Sequence, residues 1–401
     1  MIRKLRIHQV LAYLIVARFS CIALANIPIF GMSLIFVYGI LFIVTFVINY
    51  RTMERKELYA LLVFLLYVLF VVVKTIPISG TIFNTQAFNS YIILFLFFIY
   101  MYMKRIQPKE ACKICRVALI GYIFTYLYSI VMLIQDPTLS RKAAANIITE
   151  NSVDMLNAVG GFDTVYGTII VLTFLIYLRK NVNNKKDLWL IRIGLISGIL
   201  FIILASYGTA MVLIVLLIIL VLMKKNKILG GIVTGICGLA YIFKSQIGML
   251  IYSFADGISI SYILKEKIQD IAIIMITGQS AGTLSGDEGR FARIGWDISA
   301  FLKYPLFGGM GKQDIQIGEH SEIFDTLARF GLVGFVLIVL FFILFLKDGW
   351  RRLDDIKGRK CYVIAIILYL IIAILDPALY TQQILPFFVL LPFFEYMRGG
   401  K

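Results

Sequence analysis

The chain has 401 residues, 60% of them hydrophobic and 15% charged. A soluble domain is about 25% charged, so a water-soluble fold is excluded. Apolar runs of about 20 residues recur throughout, each able to cross a hydrocarbon core of about 30 Å. The segments of about ten alternating residues that mark a β-barrel are absent. The net charge of +16 reads as membrane topology rather than as a nucleic-acid footprint.

In chain order the pattern predicts twelve spans: 7–27, 29–49, 58–76, 90–103, 117–135, 161–178, 188–205, 209–223, 228–244, 323–346, 361–379 and 382–397. The N-terminal MIRKLRIHQV lacks a small-residue cleavage site before the first span, so no removable leader is expected. Alternate connections (1–6, 51–57, 104–116, 179–187, 224–227, 347–360 and 398–401) hold 26 of the 39 Lys and Arg. The intervening ones, with Lys244, hold 9. Basic residues keep loops cytoplasmic, so both termini are expected there. Segments 136–160 and 245–322 then lie outside. A structureless connection as long as the second is improbable, and helices are expected near 258–276 and 289–303. The whole chain reads as one integral membrane domain.

Cys112 and Cys115 form CKIC in a basic stretch, half of a zinc site with no second pair, so no metal is expected. In the large loop, Arg290 and Arg293 share a helix face, with Asp297 four beyond Arg293. Trp296 and Phe291 supply an apolar side. The plainer reading is a helix on the bilayer surface; the functional one is an arginine clamp on phosphate, which guanidinium binds as a planar fork. Tyr304-Pro305 ends this helix, and Gly308, Gly309 and Gly311 suggest a flexible turn.

The next span opens GEHSEIFDTLARFGLVG, residues 318–334. At helical spacing His320, Phe324, Leu327 and Gly331 share one face, with Glu322, Asp325 and Arg329 roughly opposite. Asp325 and Arg329 are spaced to neutralise each other, Ser321 is placed to cap, and Gly331 and Gly334 suit close packing. Histidine's unperturbed pKa of about 6.5 suits a general base; a surface histidine with no role is the alternative.

Taken in order, R290-x5-W296, YPLFGGMG and H320-S-x-x-x-D-x-L-x-x-x-G-x-x-G before a span resemble the O-antigen polymerase and ligase superfamily, the Wzy and WaaL type of bacterial membrane glycosyltransferase. The motifs cover about 45 residues. The resemblance implies a GT-C-like membrane fold in the bacterial cytoplasmic membrane, with its active site on the extracytoplasmic face. It implies an undecaprenyl-diphosphate-linked oligosaccharide as donor and acceptor, no metal or cofactor, and flippase and chain-length regulator proteins as partners. His320 would be the base on the acceptor hydroxyl, and arginines would hold the diphosphate. Where the family often has Ser-Arg in mid-chain, this sequence has Ser206-Tyr207. Arg141, Arg293 and Arg329 are candidates for the missing charge, beside Arg290; Trp296 and Tyr207 are candidate substrate contacts. A repeat-unit polymerase is the first reading, a ligase-type transferase the second. A lipid-linked glycan transporter, which would need ionisable residues deep in several spans, is the third.

Overall fold

The computed structural model describes residues 7–50, 53–136, 159–179, 184–205, 207–223, 242–257 and 290–398, with isolated residues between these stretches. Among the described residues there are helices and no strand. Two compact units are formed, one by Met1–Tyr207 with Ile294–Lys401 and one by Gly208–Arg293.

The first unit begins with α1 (Ile7–Ser20), α2 (Met32–Asn49), α3 (Arg55–Ser79), α4 (Thr85–Arg105) and α5 (Pro108–Gln135). It continues with α6 (Phe162–Leu178) and α7 (Lys185–Ala205). The second unit contains α8 (Gly208–Met223) and α9 (Lys244–Gly257). A further helix, α10 (Arg290–Lys303), carries the chain back into the first unit, which closes with α11 (Glu322–Arg351), α12 (Ile356–Leu375), α13 (Thr381–Val389) and α14 (Phe394–Met397). Seven described helices are long and apolar enough to cross a membrane: α2, α3, α4, α5, α7, α11 and α12.

Local chemistry sets the ends. Glu54 and Glu57 form a capping box at the start of α3, and Gly80 closes it at φ 65°. Asn84 accepts the Ala87 N–H at 3.0 Å to start α4, and Pro108 opens α5, where its missing N–H costs nothing. Outer helices present large apolar side chains: Ile40, Val44 and Val47 on α2, and Leu62, Leu66 and Val73 on α3, are exposed. Apolar faces of this extent are rare on soluble proteins; here the solvent is the bilayer. By contrast α6 is buried along nearly its whole length, and so is α13. The two meet at Gly167, where a Cβ would strike the Gln382 carbonyl.

Ion pairs identify one end of this unit. Lys104 at the close of α4 reaches Glu57 on α3 and Asp348 on α11, both at 2.8 Å, and Arg105 also pairs with Glu57. Arg116 on α5 meets Asp187 on α7 at 2.7 Å. The starts of α3, α5 and α7 and the ends of α4 and α11 are therefore together. The start of α11 and the α12–α13 turn form the opposite end.

Several expectations change. The first span, expected over 7–27, is a helix only to Ser20, whose hydroxyl turns back to the Val16 carbonyl at 2.8 Å. Short 3-10 turns at Ile22–Asn26 and Pro28–Phe30 follow. The last span, expected over 382–397, is interrupted after Val389 and continues as a 3-10 turn and α14, with Pro386 and Pro392 in the segment. Cys112 and Cys115 lie on α5 rather than in a loop. Both are buried, Cys112 against Met397 and Cys115 donating to the Val389 carbonyl at 3.1 Å. The helix expected at 289–303 is α10. Those expected at 228–244 and 258–276, and nearly all of 136–160, lie outside the described residues.

Candidate functional site

The site grows from a break in α11. Gly331 sits at φ 63° and ψ −166°, which no helix allows. The break frees backbone groups on both sides, and residues 305–310 satisfy them. Gly309 N–H donates to the Ala328 carbonyl (2.8 Å) and Met310 N–H to that of Arg329 (3.3 Å). In return Leu332 N–H donates to Pro305 (2.8 Å) and Val333 N–H to Leu306 (3.1 Å). Four unmet helix groups inside a membrane protein would be costly; here each is paired.

This exchange requires its glycines. Gly308 is at φ 69°, and a Cβ there would fall on the Arg329–Phe330 peptide. One on Gly331 would fall on Leu306 and Gly308. The expected flexible turn is thus pinned to the helix. Tyr304 donates to Asp314 (3.0 Å), and Lys303 pairs with the same carboxylate (2.5 Å), which closes the loop from its other side.

Beyond the loop the chain is held on both sides of His320. Before it, Gly318 N–H donates to Asp297 Oδ1 on α10 at 2.8 Å. After it, Ser321 Oγ donates to the Ala373 carbonyl (3.2 Å) and accepts from Phe324 N–H (3.4 Å), which makes Ser321 the cap expected of it. Glu322 N–H donates to the Asp376 carbonyl (3.3 Å). The Glu322 carboxylate accepts the Ala378 and Leu379 amides at 3.0 and 3.1 Å. His320 therefore stands half-buried at a bend just before the helix, between two tethers.

The charges do not pair as spacing suggests. Arg329 pairs with Glu319 at 2.8 Å, not with Asp325, and Glu319 adopts φ 58° to reach it. Asp325 instead faces Asp297. The two are 4% and 1% exposed, and their carboxyl groups act directly on each other, so one proton held between them is the arrangement that two buried acids favour. Burial pushes the Asp297 carboxyl above its usual range. Arg329, Glu319 and Glu322 act on the pair from nearby. Burial also pushes the Tyr380 phenol up to about 12, with Asp163, Glu322 and Glu319 adding to the shift and Arg329 opposing it. Tyr166 donates to Asp376 at 2.6 Å.

Of the residues singled out from sequence, His320, Arg329 and Trp296 belong to the first unit. Tyr207 is half-buried at that unit's boundary, just before α8. Arg290 and Arg293 open α10 on the second unit's side of the division. The Arg290 side chain, Arg141 and Ser206 lie outside the described residues. Sequence reasoning missed the carboxyl pair. The available signal was an acid at Asp297 on a helix that otherwise needed none facing inward. No protein-family model and no curated protein matches the chain.

Proposed function

We propose that this chain is an extracytoplasmic membrane glycosyltransferase with twelve crossings. It moves a glycan from undecaprenyl diphosphate to the non-reducing-end hydroxyl of another lipid-linked unit. His320 takes the proton from the attacking hydroxyl. Positive charge from Arg290, Arg293, Arg141 or Arg329 meets the diphosphate leaving group, where a planar fork suits the developing negative oxygens. Arg329 is already engaged with Glu319, so in this reading the role passes first to Arg290, Arg293 or Arg141. Trp296 and Tyr207 are sugar contacts in this reading.

One observation carries it. The three motif pieces that prompted the resemblance form one construction: α10 is tied through the Asp297 side chain to Gly318, just before His320, and the 304–311 loop is tied by main-chain bonds to the break at Gly331. A base held between two tethers at a helix mouth is the geometry that proton removal from a bound hydroxyl needs.

The test supplies purified protein with lipid-linked repeat unit alone. A ladder of longer lipid-linked products is expected from the wild type and none from His320→Ala. Full-length ladders from His320→Ala would end the base assignment. Product that forms only when a second kind of acceptor is added would make the enzyme a ligase.

A further inference from the structure

Arg18 lies in the last turn of α1 and is 8% exposed. Its Nε–H donates to the Phe30 carbonyl at 3.1 Å. A guanidinium has five N–H donors; among the described residues the other four have no acceptor, and no carboxylate acts on the group. The carbonyl ends of α1 offer partial negative charge, but the Ala17 carbonyl already serves Ser20 and Cys21. A buried cation in a membrane protein is costly without a counter-charge. Lys104, whose side chain is only 6% exposed, has Glu57 and Asp348.

The surroundings identify what is missing. The turn that Arg18 touches carries Ile27, Ile29 and Met32, all large apolar side chains and all more than 40% exposed. A counter-ion that reaches Arg18 past these residues is one with an apolar tail. The level within the unit is also fixed. Thr125 Oγ1 donates to the Ser20 carbonyl and accepts from Ile22 N–H, both at 3.1 Å. One turn away, Tyr122 donates to the Gln382 carbonyl at 2.8 Å. Arg18 is thus towards the end that bears His320, opposite the Lys104 and Arg116 ion pairs.

We propose that Arg18 is the anchor of an anionic-lipid site, binding in a planar fork the phosphate of a phospholipid whose headgroup has no cation of its own to neutralise it, while the acyl chains lie over Ile27, Ile29 and Met32. This does not rest on the glycosyl-transfer reading and survives its failure.

The test compares unfolding temperatures in discs of phosphatidylcholine and of phosphatidylglycerol, for the wild type, Arg18→Met and Arg18→Lys. Exchanging the phosphatidylglycerol for phosphatidylcholine should cost the wild type more than it costs Arg18→Met, by about 2–4 °C. In phosphatidylcholine the Arg18→Met chain should be at least as stable as the wild type, because an unneutralised cation is gone. Lys186→Met, which removes an exposed cation, should leave the lipid preference unchanged. An equal deficit for Arg18→Met in both lipids would overturn the site and leave Arg18 only its bond to Phe30. A full gain from millimolar inorganic phosphate in phosphatidylcholine discs would overturn the lipid as the source. Should Arg18→Met fail to fold, Arg18→Lys decides: a gain at least halved supports the fork, and an undiminished gain refutes it.

Discussion

Asp297→Asn should flatten the dependence of stability on pH. Asp297 Oδ1 accepts from Gly318, while Oδ2 is buried and accepts from no N–H or hydroxyl, which leaves it to Asp325. An asparagine fits this arrangement: its oxygen can keep the Gly318 amide and its NH₂ can donate to Asp325 without a shared proton. The wild-type pair holds a proton in the folded state that separate acids would release near pH about 4. Its contribution is therefore complete below that value and is lost as pH rises towards the folded pKa. One proton corresponds to about 1.4 kcal/mol per pH unit at most, or about 2 °C per unit in a chain of this size. Thermal unfolding followed in detergent from pH 5 to 8 reads the difference. The wild type should fall relative to Asp297→Asn as pH rises, with Glu319, Glu322 and Arg329 contributing the same background to both. Parallel curves would show that no proton is shared, and the account of this pair would be wrong.

Two further outcomes follow from packing. Gly331→Ala places a Cβ on the Leu306–Gly308 backbone at positive φ and should cost at least about 2 kcal/mol. Gly208→Ala, with nothing nearby, should be neutral; equal unfolding temperatures for the two would refute the pinned loop. Lys104→Met leaves Glu57 with Arg105 alone and Asp348 with only the Tyr100 hydroxyl, and should cost about 1–3 kcal/mol, seen as a lowered unfolding temperature that Asp348→Asn partly restores.

Residues near the site show how far sequence reaches. The start and stop of α10 were legible because an amphipathic stretch ends at Tyr304-Pro305, and Ser321 was legible as a cap because capping is local. The Asp297–Asp325 pair was not, since it joins residues 28 positions apart on different helices. Spacing put Arg329 on Asp325, but Glu319 lies outside the helix, where helical spacing says nothing. The role of Gly331 was read as packing because a break shows only when another segment is present to take up its backbone bonds. At the other end, the expected span 117–135 starts nine residues late. The basic residues before it were taken for a loop, yet Arg116 pairs with Asp187 from within α5.

The break at Gly331 also changes how much of α11 is left for the hydrocarbon. From Leu332 to Leu346 the chain has 15 apolar residues before Lys347, about 22 Å of helix. The apolar part of α12, Cys361–Leu375, has the same number. Each uninterrupted run by itself is about 8 Å shorter than a bilayer core of about 30 Å, so these helices cross it only with the turns at their ends included. Hydrophobic mismatch of this kind thins the surrounding lipid or draws the polar end inward. Either way, the polar start of α11, with Ser321, Glu322 and Asp325, is drawn towards the hydrocarbon boundary. Under the proposed function, a reactant tethered to an isoprenoid chain would meet that end without leaving its own leaflet.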